Sequence, residues 1–329
     1  MNNNPLVSIV FTSYNHLEFL KQAIESILNQ TFSNFEFIII NDGSTDESDK
    51  IIRSYDDSRI IYQSNSCNSG LIATLNVGIS LSRGKYIARM DADDISYRNR
   101  FSIQYDYLEK NENVVLCGSW AKIIDSNGKE SGRIKRINSH QLLRANMLFT
   151  TPFIHPSVMI RTESIKKEKF SENAIHCEDL ELWLRLSLNT NNLFANIPKY
   201  LLKYRIHEKN ISVEFNDFQL EHRKEILKPY IESFIPLNSI EDELTHFSLF
   251  QSKPLTKKEK ARVKDWISKL VAANKEQNIF QSYALNALLF SRWIIICSKS
   301  KDFLQILNIK LPWFHPKTIW QTLKLLLFK

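Results

Sequence analysis

Short apolar runs alternate along the first part of the chain with segments whose apolar positions recur every three or four residues. Residues 7–11 read as a buried strand, and a helix follows on which Leu17, Leu20, Ile24, Ile27 and Leu28 share one face. The beat returns with a strand over 35–40 and a helix opening near Ser44, then a strand over 59–62 and a helix over 71–81. It returns once more at 85–90. Buried strands alternating with helices predict an α/β domain built on a mostly parallel sheet covered on both faces. Beyond it the pattern is mixed, with strands expected over 113–118, 157–160 and 200–206, a short helix near 140–147 and an amphipathic helix over 178–188. From about Phe215 onward helices joined by polar, Lys-rich links take over, which sets an α/β domain at 1–214 and a helical region at 215–329.

In open α/β sheets ligands bind beyond the carboxyl ends of the strands. Three polar clusters fall there: Thr12, Ser13, Tyr14 and Asn15; Asn41, Asp42, Gly43 and Ser44; and Asp91, Asp93 and Asp94. A helix cap needs one polar side chain, whereas these loops supply several each. Carboxylates this close repel one another unless a hard cation joins them, and Mg²⁺ or Mn²⁺ is held by one or two carboxylates together with substrate phosphate oxygens. Taken alone, the acidic run also suits a turn with a cap.

The formal charge of +7, from 43 basic and 36 acidic residues, is spread rather than gathered into a basic tract. Nucleic acid is therefore not expected as a partner. Basic stretches at 253–264 and 299–329 suit a weak attraction to anionic lipid instead. Four cysteines, at 67, 117, 177 and 297, form no Cys-x-x-Cys pair, so reduced thiols and a cytoplasmic setting are expected. The N-terminus shows no secretory signal pattern, and the most apolar stretch, 283–297, is broken by Asn286, Ser291 and Arg292, too short for a membrane-spanning helix. Neither a Gly-x-Gly-x-x-Gly turn nor a P-loop occurs, so phosphate would be met by a cation rather than a glycine cradle.

Several spaced motifs together resemble glycosyltransferase family 2. They are Val7, Ser8, Ile9 and Val10 leading to Ser13, Tyr14 and Asn15; Gln30, Thr31 and Phe32; Asn41, Asp42, Gly43, Ser44, Thr45 and Asp46; and Asn68, Gly70, Asn76, Gly78, Arg83 and Gly84. The match continues through the acidic run, Arg100, Gln104, Gly118, Ser119, Trp120, His155, Pro156, Ser157, Glu178, Asp179, Leu182, Trp183, Tyr204, Arg205 and His207, covering roughly residues 5–212. The resemblance implies a GT-A fold and an inverting, metal-dependent transfer from a UDP-sugar. It implies that Thr12, Tyr14 and Asp42 surround the base, with Asp42 accepting from the uracil imide, and that Asn76 and Asp91 also contact the donor. Asp93 would hold Mn²⁺ or Mg²⁺, with His207 completing the metal shell, and Asp179 would be the general base. Asp94 could equally be a cap, and His155 could serve only to fix its loop before Pro156. A glycan or lipid-linked oligosaccharide in bacterial lipopolysaccharide, O-antigen or capsule synthesis is the expected acceptor. The alternatives are a sugar-nucleotide nucleotidyltransferase, which should carry a Gly- and Arg-rich loop where Thr12 to Asn15 stand, and a non-catalytic nucleotide-sugar-binding scaffold.

In the C-terminal region, Trp313, Phe314, Ile319, Trp320, Leu323, Leu325, Leu326, Leu327 and Phe328 are interleaved with Lys310, Lys317, Lys324 and Lys329. That pattern fits an interfacial segment, peripheral on the cytoplasmic face of the inner membrane, and equally a helix packed on the catalytic domain.

Overall fold

The structure, a computed structural model, describes residues 4–208, 210, 214–250, 253–302, 305–306 and 316–327. Two compact units emerge, one of Met1–Asn138 with Phe153–Gln219, the other of Ser139–Pro152 with Leu220–Lys329.

The first unit opens with the expected alternation: β1 (Val7–Ser13), α1 (Leu17–Leu28), β2 (Phe35–Asn41), α2 (Ser48–Arg53), β3 (Ile60–Ser64), α3 (Leu71–Leu81) and β4 (Tyr86–Asp91). Every residue of β1 and β2 is buried, which is why these strands read as continuous apolar runs rather than alternating ones. Then follow β5 (Ile95–Ser96), α4 (Arg100–Lys110), β6 (Val114–Ile124), β7 (Glu130–Ile134), a 3-10 turn at His155–Ser157, β8 (Met159–Arg161), α6 (Thr162–Glu168), α7 (Glu178–Ser187) and β9 (Leu193–Arg205). The sheet runs β3-β2-β1-β4-β8-β6-β9-β5, with β7 paired to β6.

Its first four strands are parallel. Beyond them β8 runs antiparallel to both β4 and β6, while β6 and β9 pair in parallel, so the second half of the sheet is mixed. The register decides where polar residues meet: Ser13 lies opposite Asn41, Asn41 opposite Ser64, and Thr12 opposite Asp91. The three loops expected to converge therefore leave the sheet at one edge.

The second unit is helical: α5 (His140–Asn146), most of α8 (Asn216–Glu232), α9 (Ile240–Ser248), α10 (Lys257–Gln277), α11 (Ser282–Lys299) and α12 (Pro316–Leu327). A capping box opens α10, with Thr256 and Glu259 satisfying each other's exposed backbone N–H. The apolar stretch noted in the sequence is α11, the central helix of this unit, buried from Ala284 to Ser291. Its interruptions are absorbed in place, Asn286 and Ser291 being buried with it. Among the described residues no helix is long and apolar enough to cross a membrane. Trp313, Phe314, Lys310, Phe328 and Lys329, part of the expected interfacial segment, lie outside the described residues.

Candidate active site

The loops after β1 and β2 are laced together. Asn15, with φ of +54°, donates its N–H to Ser44 Oγ at 3.0 Å, and its side-chain oxygen accepts from Thr45 N at 2.9 Å. Asn41 Oδ1 accepts from Ser44 N at 3.0 Å. Asp42 gathers the loop that precedes α3: its Oδ1 accepts from Asn65 Nδ2 at 2.8 Å and Ser69 N at 2.9 Å, and its Oδ2 from Gly70 N at 2.9 Å. A carboxylate offers about four acceptor positions, so one remains for a ligand donor. Gly43 (φ +71°) permits this closure, since a Cβ there would stand 2.5 Å from the backbone carbon of Cys67. Thr12 is buried and Tyr14 exposed, a ring open to a stacking partner. Asn76 is committed elsewhere in the fold: its amide donates to Phe170 O and accepts from Phe170 N, both at 2.9 Å.

One oxygen from each of Asp91, Asp93 and Asp94 lies within 4.8 Å of the others. Their surroundings differ. Arg89 forms an ion pair with Asp91, yet burial outweighs it and raises the Asp91 carboxyl, with Asp93 adding to the rise. Asp93 is also pushed up by burial, but the hydrogen bond from His207 and the fields of His16 and His207 bring it below its ordinary value. Asp94 is raised well above that value, by burial first and then by Asp93 and Asp91. Asp94 Oδ1 accepts from Arg205 N at 2.8 Å, while its Oδ2 is buried with no partner among the described residues. Hard oxygen donors in close array, one of them orphaned in the interior, are the donor set that Mg²⁺ or Mn²⁺ takes. The residues fit such a cation.

His207 touches this turn through Nε2, 3.0 Å from Asp93 Oδ2, and Asn210 donates to the same oxygen at 3.1 Å. The group that sequence reasoning left without a role is Arg205. Its Nε donates to Asp93 O at 2.7 Å, and its other nitrogens to Asp125 O, Ser126 O and Gln22 Oε1, clamping the acidic turn from below. In the sequence it shows as an arginine closing an apolar strand, within the run Tyr204, Arg205 and His207. Arg100 is similarly buried, donating to Arg89 O at 2.8 Å and held by Gln104 at 2.9 Å, with burial pushing its guanidinium down to about 9.

Glu178 and Asp179 open α7, where the positive end of the helix dipole favours carboxylates. Glu178 is buried and its carboxyl raised by that burial. His155 Nδ1 lies 3.5 Å from Glu178 Oε1, and its ring packs edge-on to Trp183. Burial and then Arg89 push this imidazole down to about 3, so it is neutral. Both Asp179 and Asp91 oppose that fall, so His155 lies within the electrostatic reach of the acidic turn and of the α7 pair alike. The chain enters α7 through His176, whose φ is +61°.

The strand order, the convergent loops and the acidic turn define a GT-A nucleotide-sugar transferase fold. Residues 8–168 match the family described as Glycosyl transferase family 2. An uncharacterized glycosyltransferase of Methanocaldococcus jannaschii is 37% identical over 219 residues, covering 63% of this chain and 73% of that one. The O-antigen biosynthesis glycosyltransferase WbnJ of Escherichia coli is 32% identical over 211 residues, covering 62% of this chain and 81% of its own. Among solved structures, S. aureus TarS 1-349 in complex with UDP-GlcNAc aligns with a TM-score of 0.54 at 18% identity, over 92% of this chain and 90% of that one. The mannosyltransferase PcManGT from Pyrobaculum calidifontis, in complex with GDP-Man and Mn²⁺, aligns with a TM-score of 0.52 at 13% identity, over 98% and 85%. The chain belongs to glycosyltransferase family 2.

Proposed function

We propose that this glycosyltransferase is metal-dependent and inverting, and moves a sugar from a UDP-sugar to a hydroxyl of a glycan or lipid-linked oligosaccharide in bacterial lipopolysaccharide, O-antigen or capsule synthesis. One observation carries the reading: one oxygen from each of Asp91, Asp93 and Asp94 lies within 4.8 Å of the others at the end of β4, an array of hard donors that supports a cation and diphosphate site. The UDP-GlcNAc complex of TarS and the O-antigen role in the name of WbnJ favour the donor and the pathway class.

In this reading Tyr14 stacks on the base, Thr12 borders it, and the remaining acceptor position of Asp42 takes the uracil imide proton. Asp91 contacts the ribose or the metal. Asp93, with Asp91, Asp94 or His207 beside it, would hold Mn²⁺ or Mg²⁺, which neutralises the diphosphate as a leaving group. Asp179 takes the proton of the acceptor hydroxyl as that oxygen bonds to the anomeric carbon. The bond from that carbon to the diphosphate oxygen breaks, UDP departs, and a single displacement inverts the centre. The enzyme works in the cytoplasm, meeting a lipid-linked acceptor by peripheral contact of the helical region with the inner membrane.

Asp179→Asn tests the assignment. UDP binding, measured by calorimetry, should persist while transfer falls by about a thousandfold or more; unchanged turnover overturns the base role.

A further inference from the structure

Helix α12 buries two threonines with Leu325 and leaves three large apolar side chains outside. Its buried positions are Thr318 (1% exposed), Thr322 (3%) and Leu325 (9%), whereas Ile319 (40%), Trp320 (59%) and Leu323 (51%) face outward. The Thr322 hydroxyl donates to Thr318 O within the helix at 2.8 Å and lies 3.4 Å from Ala287 O of α11, so two threonines stand beside Leu325 on the buried face. At about 100° per residue, Ile319, Leu323 and Trp320 fall on one continuous arc. Lys317 and Lys324, both exposed, border that arc on its Trp320 side, and Lys324 Nζ stands 5.1 Å from the Trp320 ring.

Burying the threonines and exposing the large side chains runs against the hydrophobic effect unless the outer face is covered by something apolar. Charge selects the cover. Residues 303–329 contain Lys310, Lys317, Lys324 and Lys329 and no Asp or Glu. A second copy packed through this face would bring like-charged flanks together, whereas an anionic bilayer complements them. An indole at headgroup depth, aliphatic side chains below it and lysines at its side are the parts of an interfacial helix that lies on a membrane without crossing it.

We propose that the Ile319, Trp320 and Leu323 face of α12, flanked by Lys317 and Lys324, docks on an anionic lipid bilayer. The inference rests on the peripheral membrane contact proposed above and supplies the surface that makes it.

The full chain is mixed with phosphatidylcholine vesicles with and without phosphatidylglycerol at roughly one third, and sedimentation reads the bound fraction. Binding to the anionic vesicles is expected. The triple variant Ile319→Ser, Trp320→Ser, Leu323→Ser should lose it by at least about tenfold. The pair Lys317→Glu, Lys324→Glu should remove the preference for anionic lipid. Circular dichroism and UDP binding, expected to be unchanged because these positions are exposed, report that the variants are folded. Equal binding by parent and triple variant overturns the proposed face while leaving membrane contact intact. No binding of the parent to anionic vesicles overturns both. A parent dimer that the triple variant converts to monomer, by light scattering, assigns the face to self-association and also overturns the proposal.

Discussion

The imidazole of His176 stacks on the ring of Phe215, with 4.4 Å between centroids and 21° between planes. Phe218 meets the same imidazole edge-on at 5.8 Å, and Gln219 Nε2 donates to His176 O at 3.0 Å. These contacts hold a left-handed backbone conformation that a non-glycine residue adopts only at some cost, directly ahead of the acidic pair of α7. Phe215→Ala should therefore lower kcat by about tenfold with little change in KM for the donor, since in the proposed mechanism a displaced Asp179 slows proton transfer and leaves the donor loops in place. A steady-state comparison checks it. A rise in donor KM at constant kcat would show that the contact serves the donor instead.

Removing the central carboxylate of the acidic turn separates metal from fold. Asp93→Ala should weaken UDP binding in Mn²⁺ by at least about tenfold and leave binding in chelator unchanged. Calorimetry in the two buffers reads the difference, and equal affinity for variant and parent in Mn²⁺ refutes the role.

Gly43 tests the closure of the loops after β1 and β2, which the proposed function gives to the nucleotide. A methyl group there meets the Cys67 backbone at 2.5 Å and adds left-handed strain, so the loop must shift. Gly43→Ala should cost about 2 kcal/mol of stability, read in urea unfolding, and weaken UDP binding through Asp42.

His246 gives the second unit a pH dependence. Its Nε2 lies 2.9 Å from Leu148 O and its Nδ1 accepts from Trp266 Nε1 at 3.1 Å, an arrangement that fixes the neutral Nε2–H tautomer. Burial pushes the imidazole down from 6.5 to about 4, against the hydrogen bond to Leu148 O. Between those values the unfolded chain binds a proton that the folded one does not. The stability contributed by the neutral ring is thus fully present above pH 6.5 and lost as pH falls through about 4, a change of about 3 kcal/mol. Unfolding free energies at stepped pH should fall more steeply for the parent than for His246→Gln in that window; parallel slopes refute it.

How far the sequence discloses this molecule follows from what each element buries. The strands β1, β2 and β4 are apolar over most of their length, and their polar ends declare the ligand edge through the rule for parallel sheets. By contrast β5 is two residues long, β7 reads Glu-Ser-Gly-Arg-Ile, and α4 turns Arg100 and Gln104 inward, so none carries a clear apolar period. The strand expected from Tyr200 begins at Leu193, across Pro198 and a shift in register. The acidic turn is legible as chemistry, but its clamp is not. Arg205 works mainly through backbone carbonyls, which leave no trace in residue identity. In α12 the amphipathic period is plain, yet only the fold reveals which face points outward.

The placement of β8 gives the nascent chain a timetable. The parallel quartet β3-β2-β1-β4 is complete once Asp91 has left the ribosome, but the outer edge of β4 pairs with a strand that begins only at Met159. Until then a buried-type strand presents its open backbone to other chains. The acidic turn waits longer still, because its clamp comes from Arg205 at the end of β9. Synthesis therefore supplies the loops after β1 and β2 first and the residue that clamps the carboxylates last, so the acidic turn is set only when Arg205 has been made.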